Sequence, residues 1–255
     1  MKKDNYTKFA KIYSSGSYPE YSRYVAGKLL DILGKLEIRP DGILDLACGE
    51  GTFVREAEDL GFDAWGIDKS EEMIRIAKDK ATRDGESPTF LRADMRDFSL
   101  EKKFDLVTSW FDSMNYLLKR AGLRRTFESV YDHLNRNGYF VFDVNTIYGL
   151  SVQWQEESCY VQRDDGEVYE VHRTSYEEAE KIATLDITFF LREGEGLWNR
   201  YEESHRERGY ELNEISRTGE EAGLELKAIW DDLEDFSPPE ENSGRVWFVF
   251  QKSEG

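Results

Sequence analysis

The stretch Ile43-Leu44-Asp45-Leu46-Ala47-Cys48-Gly49-Glu50-Gly51-Thr52-Phe53 decides the fold. Ile43 to Ala47 is a short apolar strand, and the glycines that follow turn the chain into a helix ending at Gly61. At such a junction the backbone at the carboxyl edge of a sheet is open to a ligand, because glycine carries no Cβ to block the approach. Upstream, Val25, Leu29, Ile32, Leu33 and Leu36 make one apolar helical face. Downstream, Asp63 to Ile67 is a second strand, and Ser70 caps a helix with Glu71 and Glu72 in its first turn. Phe90 to Ala93 and Phe104 to Ser109 are the third and fourth strands. A long helix with Leu123, Phe127, Val130, Tyr131 and Leu134 on one face ends at the turn Asn135-Arg136-Asn137-Gly138, and Tyr139 to Val144 is the fifth strand. Strands alternating with helices at this spacing build βαβ units and a parallel sheet.

After Thr146 the pattern changes. Glu157 to Arg163, Val168 to Tyr176, Lys181 to Arg192 and Leu197 to Arg206 are consecutive strands, with a turn at Asp164-Asp165-Gly166 and clean alternation at Ala183, Leu185, Ile187, Phe189 and Leu191. A short helix from Glu211 to Ala222, stopped by Gly223, leads to two last strands, Leu224 to Trp230 and Arg245 to Gln251. The expected architecture is α/β. A Rossmann-like, seven-stranded, mostly parallel sheet with helices on both faces uses residues 1–148 and 209–255, and an antiparallel β meander is inserted at 149–208.

Composition narrows the function. The chain has 255 residues, with 52 acidic and 34 basic side chains, a formal charge of -18. Met1 to Thr146 holds 23 basic and 25 acidic residues, a net of -2. The remainder holds 11 and 27, a net of -16. Such a surface repels polyanions, so neither nucleic acid nor an anionic membrane is an expected partner. No apolar run reaches a membrane span of roughly 18 residues, and the polar start Met1-Lys2-Lys3-Asp4-Asn5-Tyr6 is not a leader. Cys48 and Cys159 form no metal-ligand spacing, His133, His172 and His205 are scattered, and no metal site is expected. The expected setting is cytoplasmic, with a small-molecule substrate. The edges of the antiparallel insertion suit a homodimer.

The ligand of the glycine turn follows from its neighbours. A dinucleotide would need a third glycine where Val54 stands, and its pyrophosphate would face Asp45 and Glu50. Two carboxylates suit a cationic, phosphate-free ligand, and S-adenosylmethionine is one. Asp68 ends the second strand where a carboxylate can accept both hydroxyls of an adenosine ribose. Asp94-Met95 follows the third strand, within reach of an adenine amino group and ring nitrogen, and Met73 is placed to pack on the adenine or ribose.

With these residues in place, the sequence resembles the class I S-adenosylmethionine-dependent methyltransferases over residues 40 to 146 and the last two strands. The resemblance implies that Asp45, Ala47, Gly49 and Gly51 line the methionyl end, Asp68 and Lys69 the ribose, Asp94 and Met95 the adenine, and Trp110 the far side of the thioether. The stretches Lys8-Phe9-Ala10-Lys11-Ile12-Tyr13, Phe111-Asp112-Ser113-Met114-Asn115-Tyr116-Leu117 and Phe142-Asp143-Val144-Asn145-Thr146 are similar to its small-molecule branch with a β insertion, such as amino-sugar and glycine N-methyltransferases. The resemblance also implies that an N-terminal tyrosine, Tyr13 or Tyr18, closes over the methionyl end. The expected reaction is methyl transfer to a small molecule, N-methylation of an amine first. O-methylation and non-catalytic cofactor binding are the alternatives.

Candidate catalytic residues are Asp112, Asp143 and His205, and candidate substrate contacts are Asn115, Tyr116 and Asn145. Asp112 and Asn115 either contact substrate or cap the next helix, and Asp143 either contacts it or closes a turn. His205 shares a strand face with Glu203 and Glu207, which either orient it for chemistry or pair with it at the surface. His133 and His172 are expected to be structural and Cys48 a small apolar filler; Trp154, Trp198 and Trp230 are expected to pack in the core or on a sheet, with the mouth of the insertion as the alternative for Trp154, and Arg23 is either solvated or meets the methionyl carboxylate.

Overall fold

The computed structural model describes residues 8–84, 88–194 and 196–253. The leader reading at Met1–Tyr6 falls outside them. Three helices open the described chain, α1 (Phe9–Ser15), α2 (Pro19–Gly27) and α3 (Leu29–Leu36). The single apolar face expected from Val25 to Leu36 is therefore divided between two helices, with the break at Gly27 and Lys28. The central sheet follows as β1 (Gly42–Leu46), α4 (Thr52–Asp59), β2 (Asp63–Asp68), α5 (Glu71–Asp84), β3 (Thr89–Arg92), β4 (Phe104–Ser109), α6 (Arg120–His133) and β5 (Leu134–Asn145). A π turn at Gly149–Gln153 and the short α7 (Trp154–Glu156) lead to β6 (Cys159–Asp164), β7 (Val168–Glu177), β8 (Ile182–Glu193) and β9 (Leu197–Arg208). The chain returns through α8 (Leu212–Glu221), β10 (Leu224–Trp230) and β11 (Arg245–Lys252).

The seven-stranded sheet has the order β10-β11-β5-β4-β1-β2-β3, and β11 alone runs against its neighbours. β1 is buried along its whole length, as a central parallel strand must be when helices cover both faces. The order reverses between β1 and β4, which pair in parallel, and that is where an open α/β sheet leaves a crevice beyond its strand ends. The separate sheet has the order β6-β7-β8-β9 and is antiparallel throughout.

One boundary differs from the sequence reading. β5 starts at Leu134, which pairs with Phe104, and the Asn135–Gly138 turn is a bulge within the strand before Tyr139 pairs with Leu106. Asn137 takes φ of 60°, a left-handed conformation that asparagine tolerates, so the turn signal is met inside the ladder. As expected, the Ser70 hydroxyl caps α5 by accepting from the Met73 N–H at 3.3 Å. Aromatic rings fill one side of the sheet, where Phe127, Phe140, Phe142, Phe248 and Phe250 are buried against one another.

Candidate active site

Both sheets, α1, α2 and α7 contribute to one cavity of about 640 Å³. Its floor is the β1–α4 turn. Ala47 and Gly49 both take positive φ (55° and 56°), so the chain turns back at the sheet edge. For a residue with a Cβ this costs about 1–3 kcal/mol and persists only where neighbours enforce it. Here the Cys48 N–H donates to the Ile67 carbonyl at 3.0 Å, and the Gly49 N–H donates to Asp68 Oδ2 at 3.0 Å. No atom lies within 4 Å of where a Gly49 Cβ would sit, so the turn leaves an open cradle.

Gly51 differs. A Cβ there would stand 2.5 Å from the Phe90 ring, and the residue is not on the cavity wall. Its lack of a side chain serves packing, which corrects the expectation that it lines the methionyl end. Glu50 is also turned away from the ligand side. It is buried, accepts from the Thr52 N–H at 3.2 Å and pairs with Lys80.

Carboxylates crowd the cradle. Asp45 accepts from the Thr108 hydroxyl at 2.8 Å. Burial pushes Asp45 well above the usual carboxylate range, the Thr108 bond opposes this in part, and the charges of Asp68 and Asp143 add to it. Burial also raises Asp68, against the Ser70 and Gly49 N–H bonds it accepts. Buried carboxylates held near one another favour a ligand that carries positive charge, and Lys69 offsets the charge of Asp68 only in part. Lys69, Met73, Asp94 and Met95 complete this end. Asp94 is bonded by Arg96 Nε at 2.8 Å, and that bond lowers its pKa. Cys48 packs its sulfur against Gly66, and burial holds its thiol far above the ordinary value, which fits a filler and not a nucleophile.

The opposite wall begins after β4. Trp110 is buried and reaches the cavity, and its Nε1 has no hydrogen-bond partner among the described residues. Phe111 and Asp112 take φ of 57° and 53°, two left-handed residues in succession. Asp143 holds them there. It accepts the Phe111 N–H at 2.7 Å and the Asp112 N–H at 2.9 Å, and pairs with Arg245. Arg245 also reaches Asp112 at 2.6 Å. Asp143 is fully buried, off the cavity wall and wholly engaged, so it positions the turn and is not a reacting group.

Asn115 and Asn145 are corrected in the same way. Asn115 Nδ2 donates to the carbonyls of Asn145 and Arg208 at 2.8 and 2.9 Å, and its Oδ1 accepts the Asn145 N–H at 3.0 Å. Asn145 Nδ2 donates to Glu207 at 2.9 Å. Both amides clasp β5 to β9 behind the cavity. Glu207 does line it, and burial followed by the nearby Asp112 pushes its pKa well up.

Tyr116 and His205 meet inside the cavity, with the hydroxyl 3.0 Å from Nδ1. Burial, with His172 and Lys69 nearby, lowers the His205 pKa to about 4. The imidazole is neutral at neutral pH. Tyr13 and Tyr18 stack at 4.8 Å and line the entrance side with Tyr21. Trp154 lies on the cavity wall, the alternative to its packing role, whereas Arg23 is exposed and off the wall. His133 is structural, accepting from the Leu100 N–H at 3.0 Å.

His172 does more than the sequence suggested. It lies on the cavity wall, with Nε2 2.6 Å from Glu170 Oε1 and Nδ1 3.1 Å from the Tyr160 hydroxyl, and Tyr18 donates to Glu170. The period-two series Val168, Glu170, His172, Thr174 carried that signal, because it puts the acid and the imidazole on one strand face. Arg245 had no such signal, since its partners lie more than a hundred residues upstream.

A family profile described as a methyltransferase domain matches residues 43–138. A protein of Geobacillus sp. (strain WCH70), named as a methyltransferase without an acceptor, is 32% identical over 210 residues, 82% of this chain and 84% of its own. A crystal structure of an S-adenosylmethionine-dependent methyltransferase from Clostridium acetobutylicum superposes with a TM-score of 0.81 at 28% identity, covering 98% of this chain and 100% of that one. The dTDP-3-amino-3,6-dideoxy-α-D-glucopyranose N,N-dimethyltransferase of Streptomyces fradiae is 27% identical over 218 residues, 83% of this chain and 80% of its own. A Rossmann-like sheet with an open cradle at the β1/β4 switch is an arrangement that binds a ligand beyond its strand ends. The chain belongs to the class I S-adenosylmethionine-dependent methyltransferases.

The residues present fit that cofactor. The open cradle at Gly49, the buried carboxylates of Asp45 and Asp68, and the unpartnered Trp110 Nε1 together provide space, negative charge and a donor. Among the described residues, no helix is long and apolar enough to cross a membrane.

Proposed function

We propose that the chain transfers the methyl group to the nitrogen of a small amine held between the sheet edge and the four-stranded sheet. The observation that carries this reading is the continuity of one cavity from the carboxylates of Asp45 and Asp68 to the imidazoles of His172 and His205. In this reading Asp45, Ala47 and Gly49 hold the methionyl end under Tyr13, and Asp68 and Lys69 hold the ribose. Asp94, Met95 and Met73 hold the adenine, with Trp110 beyond the thioether. Bound there, S-adenosylmethionine supplies an electrophilic methyl group on a sulfonium whose leaving group is already good. The chain has to align the nucleophile and keep water out. Residues 149–208 act as the lid that does both.

The acceptor nitrogen needs a free lone pair. His205, with a pKa of about 4, offers a neutral imidazole to hydrogen-bond the amine but is too weak a base to keep a proton taken from it. Its work, with Tyr116, is to orient the lone pair while the proton passes to water. Asp112, anchored by Arg245, and Glu207 put carboxyl oxygens on the wall that can accept from the N–H groups of an amine. The N,N-dimethyltransferase activity in the name of the Streptomyces fradiae relative points the same way. Neither Cys48 nor Cys159 is in a disulfide, which suits the reducing cytoplasm.

Incubation with methyl-labelled S-adenosylmethionine and pooled amine, hydroxyl and carboxylate acceptors tests the reading. Mass spectrometry should place the label on nitrogen, with release of S-adenosylhomocysteine. Label found only on oxygen would overturn it.

A further inference from the structure

The lid half of the cavity has a charge pattern that bears on which amine it takes. Three cationic side chains line the whole cavity among the described residues, Lys69, Arg96 and Arg245. Lys69 adjoins Asp68 at the cofactor end, and Arg96 is tied to Asp94. Arg245 spends both arms on Asp112 and Asp143. The walls supplied by α7, β6, β7 and β8 contain no lysine or arginine; they present Trp154, Glu156, Glu157, Tyr160, His172 and aliphatic side chains.

A diphosphate brings at least two negative charges. Desolvating them requires cationic or N–H donors aimed at the oxygens, and arginine forks are the usual solution. In this cavity a diphosphate would instead meet Glu156 and Glu157. Behind His172, Glu170 is fully buried and gives Oε1 to Tyr18 and His172, while its Oε2 has no hydrogen-bond partner among the described residues. Glu170 sits on the strand face that also carries His172 and Thr174, both on the cavity wall. Aromatic faces at Tyr18, Tyr160 and Trp154 border the same space, and such faces attract a desolvated cation.

We infer that the acceptor is a phosphate-free amine with a second ammonium group, anchored in the lid by Glu156, Glu157 and the aromatic faces of Tyr18, Tyr160 and Trp154. This rests on the amine reading above and deepens it. It also separates the chain from the nucleotide-diphosphate amino sugar in the name of the Streptomyces fradiae relative. The second ammonium sets the orientation, and the first faces the transferable methyl beside Tyr116 and His205.

The experiment uses the full chain saturated with S-adenosylhomocysteine and titrated calorimetrically with two probes, thymidine diphosphate and 1,4-diaminobutane. The diamine should bind, and thymidine diphosphate should give no heat at millimolar concentration. In the double variant Glu156→Gln/Glu157→Gln, whose sites are exposed and leave the core intact, diamine affinity should fall about tenfold. Thermal melting is run alongside to exclude unfolding. Micromolar binding of thymidine diphosphate would overturn the inference, as would a diamine that fails to bind or binds the double variant unchanged. Turnover of a nucleotide-diphosphate amino sugar to an N-methyl product would sink the inference but leave the amine reading standing. Transfer to oxygen alone would sink both.

Discussion

The two ends of the cavity are built differently. The end proposed to hold the cofactor comes from neighbouring strand ends within residues 45 to 95, and its geometry is mostly backbone: positive φ at Ala47 and Gly49, and N–H groups fixed on Asp68 and Ile67. The acceptor end is made of side chains from α1, α2, the Trp110–Tyr116 segment, the lid strands and the start of β11. A site made of one turn must keep its local sequence. A site assembled from distant side chains can change its ligand one residue at a time while the fold persists. The difference explains why the cofactor is shared across the family while the acceptor has to be argued from this chain's own wall.

Variants that act on one end and not the other sharpen this contrast. Asp143→Ala should have the largest effect, since it leaves Arg245 short of a buried partner and releases the strained Phe111–Asp112 turn. The expected loss is about 3 kcal/mol of stability, read as a lower denaturation midpoint. A midpoint within experimental error of the wild type would mean that Asp143 does not hold the turn. His205→Gln should leave cofactor affinity intact and lower kcat about tenfold or more, because orientation is lost without loss of the binding cradle. Equal losses in cofactor affinity and kcat would blur the proposed division.

A smaller effect should appear with pH. Asp45 and Asp68 have raised pKa values in the ligand-free fold. Their contribution to stability is present below the ordinary carboxylate pKa and is lost as pH rises through the raised values. A cation bound beside them favours the ionised forms. S-adenosylmethionine, with its sulfonium, should therefore gain affinity from about pH 5 upward more steeply than the neutral thioether S-adenosylhomocysteine. Parallel slopes for the two ligands would place the sulfonium away from this pair.

The same contrast governs what was legible in the sequence. The sheet, the insertion and the cofactor end could be read because strand periodicity and the spacing of Asp45, Gly49, Asp68 and Asp94 are local signals. Gly51 was read as a ligand contact because a one-dimensional pattern cannot say which glycine faces a ligand and which faces Phe90. Asp143, Asn115 and Asn145 looked like site residues for a related reason. They end strands at the right edge, but their polar atoms are consumed by Arg245, Arg208 and Glu207, partners far off in the chain. His172 was underestimated although its alternation with Glu170 was visible. The charge division, -2 against -16, drew attention to the part of the chain after Thr146. Only the fold shows that Glu156, Glu157 and Glu207 reach the cavity, and that among the described residues α7, β6, β7 and β8 put no lysine or arginine on its wall.

The division between the two ends is the central claim, and one parallel titration tests it most directly. S-adenosylmethionine is titrated calorimetrically into the wild-type protein, Asp68→Ala and His205→Gln. Asp68→Ala should weaken binding by about a hundredfold or more, because two charge-assisted hydrogen bonds and the anchor of the Gly49 N–H are lost together. His205→Gln should bind as the wild type does. Unchanged affinity in Asp68→Ala, or a comparable loss in His205→Gln, would contradict the account.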